Sequence, residues 1–102
     1  MKLSELRVVD FINEVDSNSP APGGGSVSAL AASNGLALVR MVGHLSVGKK
    51  KFRALDEEVQ SDFNDILDTF GIYKEELITL IDKDTEAYNL VMTAFKLPKE
   101  TE

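Results

Sequence analysis

The sequence has no cysteine, no tryptophan and a single histidine, His44. Without cysteine the chain has no disulfide, no thiolate metal site and no cysteine nucleophile. One histidine also excludes a metal site built mainly from histidines. We therefore predict that the protein holds no metal and that any chemistry depends on carboxylates, lysines, hydroxyl groups or His44.

Positive charge is scarce as well, because 11 lysines and arginines stand against 17 acidic residues, for a net charge of -6. General binding to nucleic acids or anionic membranes draws on net positive charge, so we expect neither kind of partner. The N-terminus lacks the uninterrupted apolar region of a signal peptide. We predict a soluble, cytoplasmic protein.

The most apolar run, residues 27–47, is too polar for a comfortable membrane span. Its polar residues are Ser28, Ser33, Asn34, Arg40 and His44. The run is also rich in small residues, which let neighbouring helices approach closely. It predicts one central, buried helix that ends near Gly48.

Apolar residues recur at helical spacing on both sides of this run. The first pattern reaches about Val15, with Ser4 as its expected N-cap. The second covers residues 53–96, with Pro98 beyond its end and Gly71 as its one weak point. Because of Gly71, this pattern fits either one long helix or two shorter helices. The 102 residues therefore predict a single all-α domain, residues 1–102, in which three or four helices form an antiparallel bundle with one central small-residue helix and long amphipathic helices.

A rigid Pro/Gly string, PAPGGGS, precedes the central helix. Glycines admit a ligand or another backbone very close, and a helix N-terminus attracts an anionic or carbonyl group. We predict a ligand-binding loop with Ser26 as the N-cap of the helix, although a plain loop-to-helix turn is the alternative. The substrate-binding candidates here are Pro22, Gly23, Gly24, Gly25 and Ser26. Such a loop predicts that Gly24→Val abolishes ligand binding before it affects folding or assembly.

Three consecutive lysines, Lys49, Lys50 and Lys51, follow the central helix. Together with Gly43 and Gly48 they nearly match a phosphate-binding loop, but Lys50 replaces the required Ser or Thr and no strand precedes the segment. We reject nucleotide hydrolysis. The lysines are candidates for binding a ligand's carboxylate or phosphate, with a solvated basic patch as the alternative.

Two aspartates in the last helical pattern are candidates for general acid/base catalysis. Asp82 and Glu86 lie four residues apart on one helical face, whereas Asp84 points roughly the other way, towards the apolar side. His44 is a third catalytic candidate, because its ordinary pKa lies near the working pH range. A partly buried, hydrogen-bonded histidine is the alternative interpretation.

Taken in order, the segments SPAPGGGSV (19–27), GKKKF (48–52), Asp82-x-Asp84 and VMTAFKLPK (91–99) resemble the cyclodeaminase domain of formiminotransferase-cyclodeaminase and its stand-alone bacterial relatives, including methenyltetrahydrofolate cyclohydrolase. The resemblance covers residues 6–99. It implies an all-helical domain that forms homodimers and handles one-carbon units on tetrahydrofolate.

The resemblance implies a tetrahydrofolate derivative as substrate and carrier, and either ring closure with loss of ammonia or ring opening by water. The family's domain continues past the KLPK segment, so we expect a truncated domain whose uncovered apolar surface meets other copies. The alternative is a catalytically inactive helical module that only oligomerises or binds a ligand.

Overall fold

The computed structural model describes residues 2–19 and 21–96, and within them there is no strand. A short 3₁₀ turn at Leu3–Glu5 precedes helix α1, Val8–Val15. Then come α2, Gly24–Val47, α3, Lys50–Arg53, and α4, Glu57–Lys96. The predicted all-α class is confirmed. The prediction that residues 97–99 end the last helix falls outside the described residues.

Helices α2 and α4 form an antiparallel pair that dominates the molecule. Near the start of α2, Ser26 contacts Ile81 of α4, and further along Arg40 contacts Leu67. With 24 and 40 residues, the two helices are ~36 and ~60 Å long. The molecule is therefore a rod of 71 × 32 × 19 Å. Its radius of gyration is 19.8 Å, against about 13 Å for a compact domain of this size.

Small residues let α2 approach α4 closely, as the sequence predicts. The buried residues of α2 are Ser26, Ala29, Ser33 and Gly43. A Cβ atom on Gly43 would overlap the side chain of Leu67, so this close contact depends on glycine unless Leu67 moves. The expectation of a buried central helix holds for this face alone, because Leu38, Val42 and Leu45 are each at least 60% exposed on the other faces.

Helix α2 is long and apolar enough, by length and composition, to cross a membrane. One helix of this kind is weak evidence, because core helices of soluble proteins meet the same criterion. The absence of a membrane partner stays a prediction.

The N-terminal segment packs across α2 and α4. Phe11, Ala29 and Ile81 form the buried core there, and Leu3, Leu6 and Leu30 pack against it. The prediction that Ser4 caps the first helix is wrong, because α1 begins at Val8 with Arg7 as its N-cap residue. Ser4 instead donates hydrogen bonds to a side chain of α4, a contact between residues 78 positions apart.

Helix α4 passes through Gly71 without a break, which settles the choice between one helix and two. It begins at Glu57, four residues later than the periodic pattern, because residues 53–56 belong to α3 and a turn. The ring of Phe52 in α3 packs edge-on against that of Phe63 in α4, with centroids 5.1 Å apart. This contact fixes helix α3, which carries the lysines, against α4.

Candidate functional site

The glycine string enters the helix and does not form a loop before it. Gly23 is the N-cap residue of α2, so Gly24, Gly25 and Ser26 make its first turn. The prediction that Ser26 caps the helix is wrong, because the fully buried Ser26 hydroxyl donates to the Ile81 carbonyl oxygen at 2.6 Å. This long-range bond fastens the first turn of α2 to α4.

The carboxylate of Asp84 lies directly against Gly25. A Cβ atom on Gly25 would overlap all three atoms of the Asp84 carboxylate group, so the contact requires glycine. The first four backbone N–H groups of a helix have no partner within that helix, and they carry partial positive charge. The Asp84 carboxylate therefore sits at the positive end of α2 while its residue remains exposed to solvent.

A shallow cavity of about 530 Å³ opens beside this contact. Small residues of α2 and leucines of α4 form most of its wall, and Lys83 and Asp84 also line it; the other lining residues are Gly25, Ser28, Ala29, Ala32, Leu77, Leu80 and Ala87. We call it the Asp84 groove. Its volume lies within the usual range for small-molecule sites, and its mostly apolar wall with two ionisable residues, Lys83 and Asp84, suits a flat ring that reacts at one edge.

Asp82 lies on the opposite side of α4, as the spacing predicts. It accepts a hydrogen bond from the Ser4 backbone N–H at 3.1 Å and another from the Ser4 hydroxyl at 2.5 Å. Asp82, Thr85 and Glu86 line a separate cavity, which they share with the N-terminal segment. Of the two aspartates, Asp82 joins the N-terminal segment to α4, and Asp84 faces the groove.

Replacing Ser4 with alanine is expected to lower the free energy of unfolding by about 1 kcal/mol, because the hydroxyl bond to Asp82 is lost while the backbone bond remains. Chemical denaturation followed by circular dichroism measures the change. Ser61→Ala, at an exposed position within α4, is the matched control and is expected to leave stability nearly unchanged. Equal stability of the Ser4 variant and the wild type would show that this bond contributes nothing.

The remaining candidates lie towards the other end of α2. His44 is exposed, and its position in the helix is ~28 Å from that of Gly25 at 1.5 Å per residue. Lys49 is the N-cap residue of α3, and Lys50 and Lys51 begin that helix, all three exposed. One chain therefore brings Asp84 to the glycine segment but brings neither His44 nor the lysines to it.

In the sequence Arg40 stands out only as a polar residue within the apolar run 27–47, and the structure gives it a specific place. Its Nε atom donates to the Leu67 carbonyl oxygen at 3.1 Å, and its guanidinium group lies over Gly71. The sequence signal for this placement was Gly71, a glycine in the middle of a long helix. Among the described residues, no cluster of three or more histidines or acidic side chains is placed to hold a metal ion.

The formiminotransferase-cyclodeaminase family matches residues 7–102, nearly the whole length of the sequence. The chain belongs to this family. Formimidoyltransferase-cyclodeaminase of Gallus gallus is 43% identical over 91 residues, which are 89% of this chain and 16% of that protein. Methenyltetrahydrofolate cyclohydrolase of Methylorubrum extorquens is 38% identical over 92 residues, which are 90% of this chain and 42% of that protein.

A third family member, formimidoyltransferase-cyclodeaminase of Dictyostelium discoideum, is 41% identical over 97 residues, or 95% of this chain and 17% of that protein. This chain thus spans less than half the length of each of these relatives. No solved structure matches the chain. The family match agrees with the resemblance carried by the glycine, lysine and aspartate segments.

Proposed function

We propose that this chain carries part or all of a folate-dependent one-carbon site of the formiminotetrahydrofolate cyclodeaminase or methenyltetrahydrofolate cyclohydrolase type. Family membership supports the reaction class. The observation that carries the proposal is the Asp84 carboxylate, held against Gly25 at the end of an apolar groove. A tetrahydrofolate derivative is the substrate and carrier, and no metal takes part.

In the cyclodeaminase reaction, N10 of the folate attacks the formimino carbon, so that a new C–N10 bond forms. The bond from that carbon to the formimino nitrogen then breaks, and ammonia leaves. Starting from the protonated formimino group, one proton moves from N10 to the departing nitrogen, and the methenyl product keeps the positive charge. Asp84 is the group we assign to this transfer, because a carboxylate alternately accepts and donates a proton.

In the cyclohydrolase reaction, water adds to the methenyl carbon and one C–N bond of the ring breaks. The carboxylate takes a proton from the water and gives one to the ring nitrogen that leaves, and the second proton of the water is released to solvent as the formyl C=O bond forms. Asp84 has the same task in both reactions, so the groove alone favours neither. Assays for ammonia-forming ring closure and for methenyl hydrolysis separate them.

The proposed site places the pterin ring of the folate near the start of α2 and its carboxylates near the end of α2. The pterin ring lies on the small residues Ala29 and Ala32 with Leu77 opposite, where the groove is apolar. The lysine cluster, Lys49–Lys51, suits the folate carboxylates, but it lies ~36 Å from Gly24 in the same chain. The proposal therefore includes a homodimer or larger homo-oligomer in the cytoplasm, in which another copy supplies these cations.

The alternative is a catalytically inactive helical module that oligomerises or binds a folate-like ligand. The distance between Asp84 and the candidates His44 and Lys49–Lys51 favours it, because a single chain assembles only part of a site. It shares the helical fold and the exposed apolar face with the enzyme proposal. It differs in expecting no turnover.

Calorimetric titration with 5-formyltetrahydrofolate, a stable stand-in for the one-carbon substrates, tests the proposal together with light scattering for the mass. Saturable binding to an oligomer supports a folate site, and methenyl formation or hydrolysis followed by absorbance then identifies the reaction. Binding without turnover supports the inactive module. A well-folded protein that binds no folate would contradict both the enzyme proposal and the inactive module that binds a folate-like ligand.

A further inference from the structure

The guanidinium group of Arg40 is held in one place by two features of α4. Its Nε atom donates to the Leu67 carbonyl oxygen at 3.1 Å. A Cβ atom on Gly71 would lie 3.1 to 3.2 Å from the guanidinium atoms Cζ, Nη2 and Nε, so the absent side chain makes room for the planar group. Arg40 is thus oriented across the α2–α4 interface at mid-length.

No ion pair with Arg40 occurs within residues 2–19 and 21–96, although the chain has 17 acidic residues. No side-chain nitrogen or oxygen in that part is both buried and without a hydrogen-bond partner. Since Leu67 occupies only Nε, and no described residue accepts a hydrogen bond from Nη1 or Nη2, both terminal nitrogens keep some contact with solvent. They present a fork of N–H donors.

Such a fork matches the geometry of a carboxylate, which accepts two parallel hydrogen bonds from one guanidinium. A free surface arginine loses side-chain freedom when it binds, whereas Arg40 is already ordered by Leu67 and Gly71. Pre-organisation of this kind increases affinity.

We propose that Arg40 is a carboxylate-binding residue, seated on Gly71 and aimed out of the α2–α4 interface. The carboxylate comes from a small molecule such as a folate glutamate tail, or from an acidic side chain of a second copy. Arg40 lies ~22 Å along α2 from Gly25, so it is separate from the Asp84 contact. The inference therefore stands whether or not Asp84 is catalytic.

The test compares Arg40→Gln with Arg7→Gln, which removes the same charge from an exposed residue already paired with Asp10. One arm titrates both variants with 5-formyltetrahydrofolate and with its counterpart that lacks glutamate. The other arm measures self-association by sedimentation at two salt concentrations. Circular dichroism confirms folding, and Arg40→Lys keeps the charge if the glutamine variant does not fold.

We expect Arg40→Gln to weaken one of the two processes at least about tenfold and Arg7→Gln to leave both unchanged. A loss confined to the glutamate-bearing folate assigns the carboxylate to the ligand. A loss of salt-sensitive self-association assigns it to a second copy. Gly71→Ala, which forces the guanidinium group to shift by a few tenths of an ångström, is expected to weaken the same process to a smaller extent. The proposal is overturned if Arg40→Gln matches Arg7→Gln in both arms, or if the wild type shows neither process.

Discussion

Asp84→Asn is expected to lower the turnover number for ring closure or hydrolysis by about 10²- to 10⁴-fold, the usual range for loss of a general acid/base. Asparagine has nearly the same shape as aspartate, so it still fits against Gly25, but it cannot carry the proton. The lost charge at the helix N-terminus costs only about 0.3–1 kcal/mol, so the fold survives. Absorbance of the methenyl product, measured under saturating folate, gives the rate.

Asp82→Asn is the matched control for this prediction. It changes the same functional group two residues away, but it faces Ser4 and not the groove. We expect a modest loss of stability and a turnover number within a few-fold of the wild type. If Asp82→Asn abolished turnover while Asp84→Asn retained it, the assignment of the two aspartates would be reversed.

The helices were predictable from the sequence because their apolar residues follow one period over many turns. That signal predicted the all-α class and the opposite directions of Asp82 and Asp84. It is local information, since the period depends only on neighbours three and four residues away. Element ends were less predictable, because caps depend on single side chains with several available partners.

Ser4 and Ser26 show why the caps failed. Both are good N-cap residues by type, and both instead donate hydrogen bonds to α4, at Asp82 and at the Ile81 carbonyl. These partners are 78 and 55 residues away along the chain. No spacing rule connects such residues. Only the packed structure shows whether a hydroxyl caps its own helix or donates to an oxygen of α4.

Gly25 and Gly71 have the same structural role, although the sequence suggested different ones. The sequence presented Gly71 as a weak point of a helix and Gly25 as part of a loop, yet both lie within helices. At each, the missing side chain admits a charged group from the other helix, Arg40 over Gly71 and Asp84 against Gly25. The pair α2–α4 therefore holds one guanidinium and one carboxylate at defined places through two glycines.

Gly25→Ala is expected to have the largest effect on the groove, because the added Cβ overlaps the Asp84 carboxylate and must displace it or separate the helices. Overpacking costs about 1–3 kcal/mol in a packed core, and less where an exposed side chain such as Asp84 can turn aside. A Cβ on Gly24 would meet no atom of the described chain within 4 Å, so the loss of ligand binding expected for Gly24→Val stays a prediction. Thermal denaturation and folate titration measure the two consequences.

Gly24→Ala is the matched control, one residue away in the same helical turn. Alanine favours the helix by up to about 1 kcal/mol over glycine, so this variant is expected to be as stable as the wild type or slightly more stable. Opposite signs at adjacent glycines cannot come from helix propensity, which favours alanine at both. They would instead show that the Asp84 contact decides the outcome. Equal melting temperatures and equal folate binding for the two variants would place the Asp84 carboxylate away from Gly25 in solution.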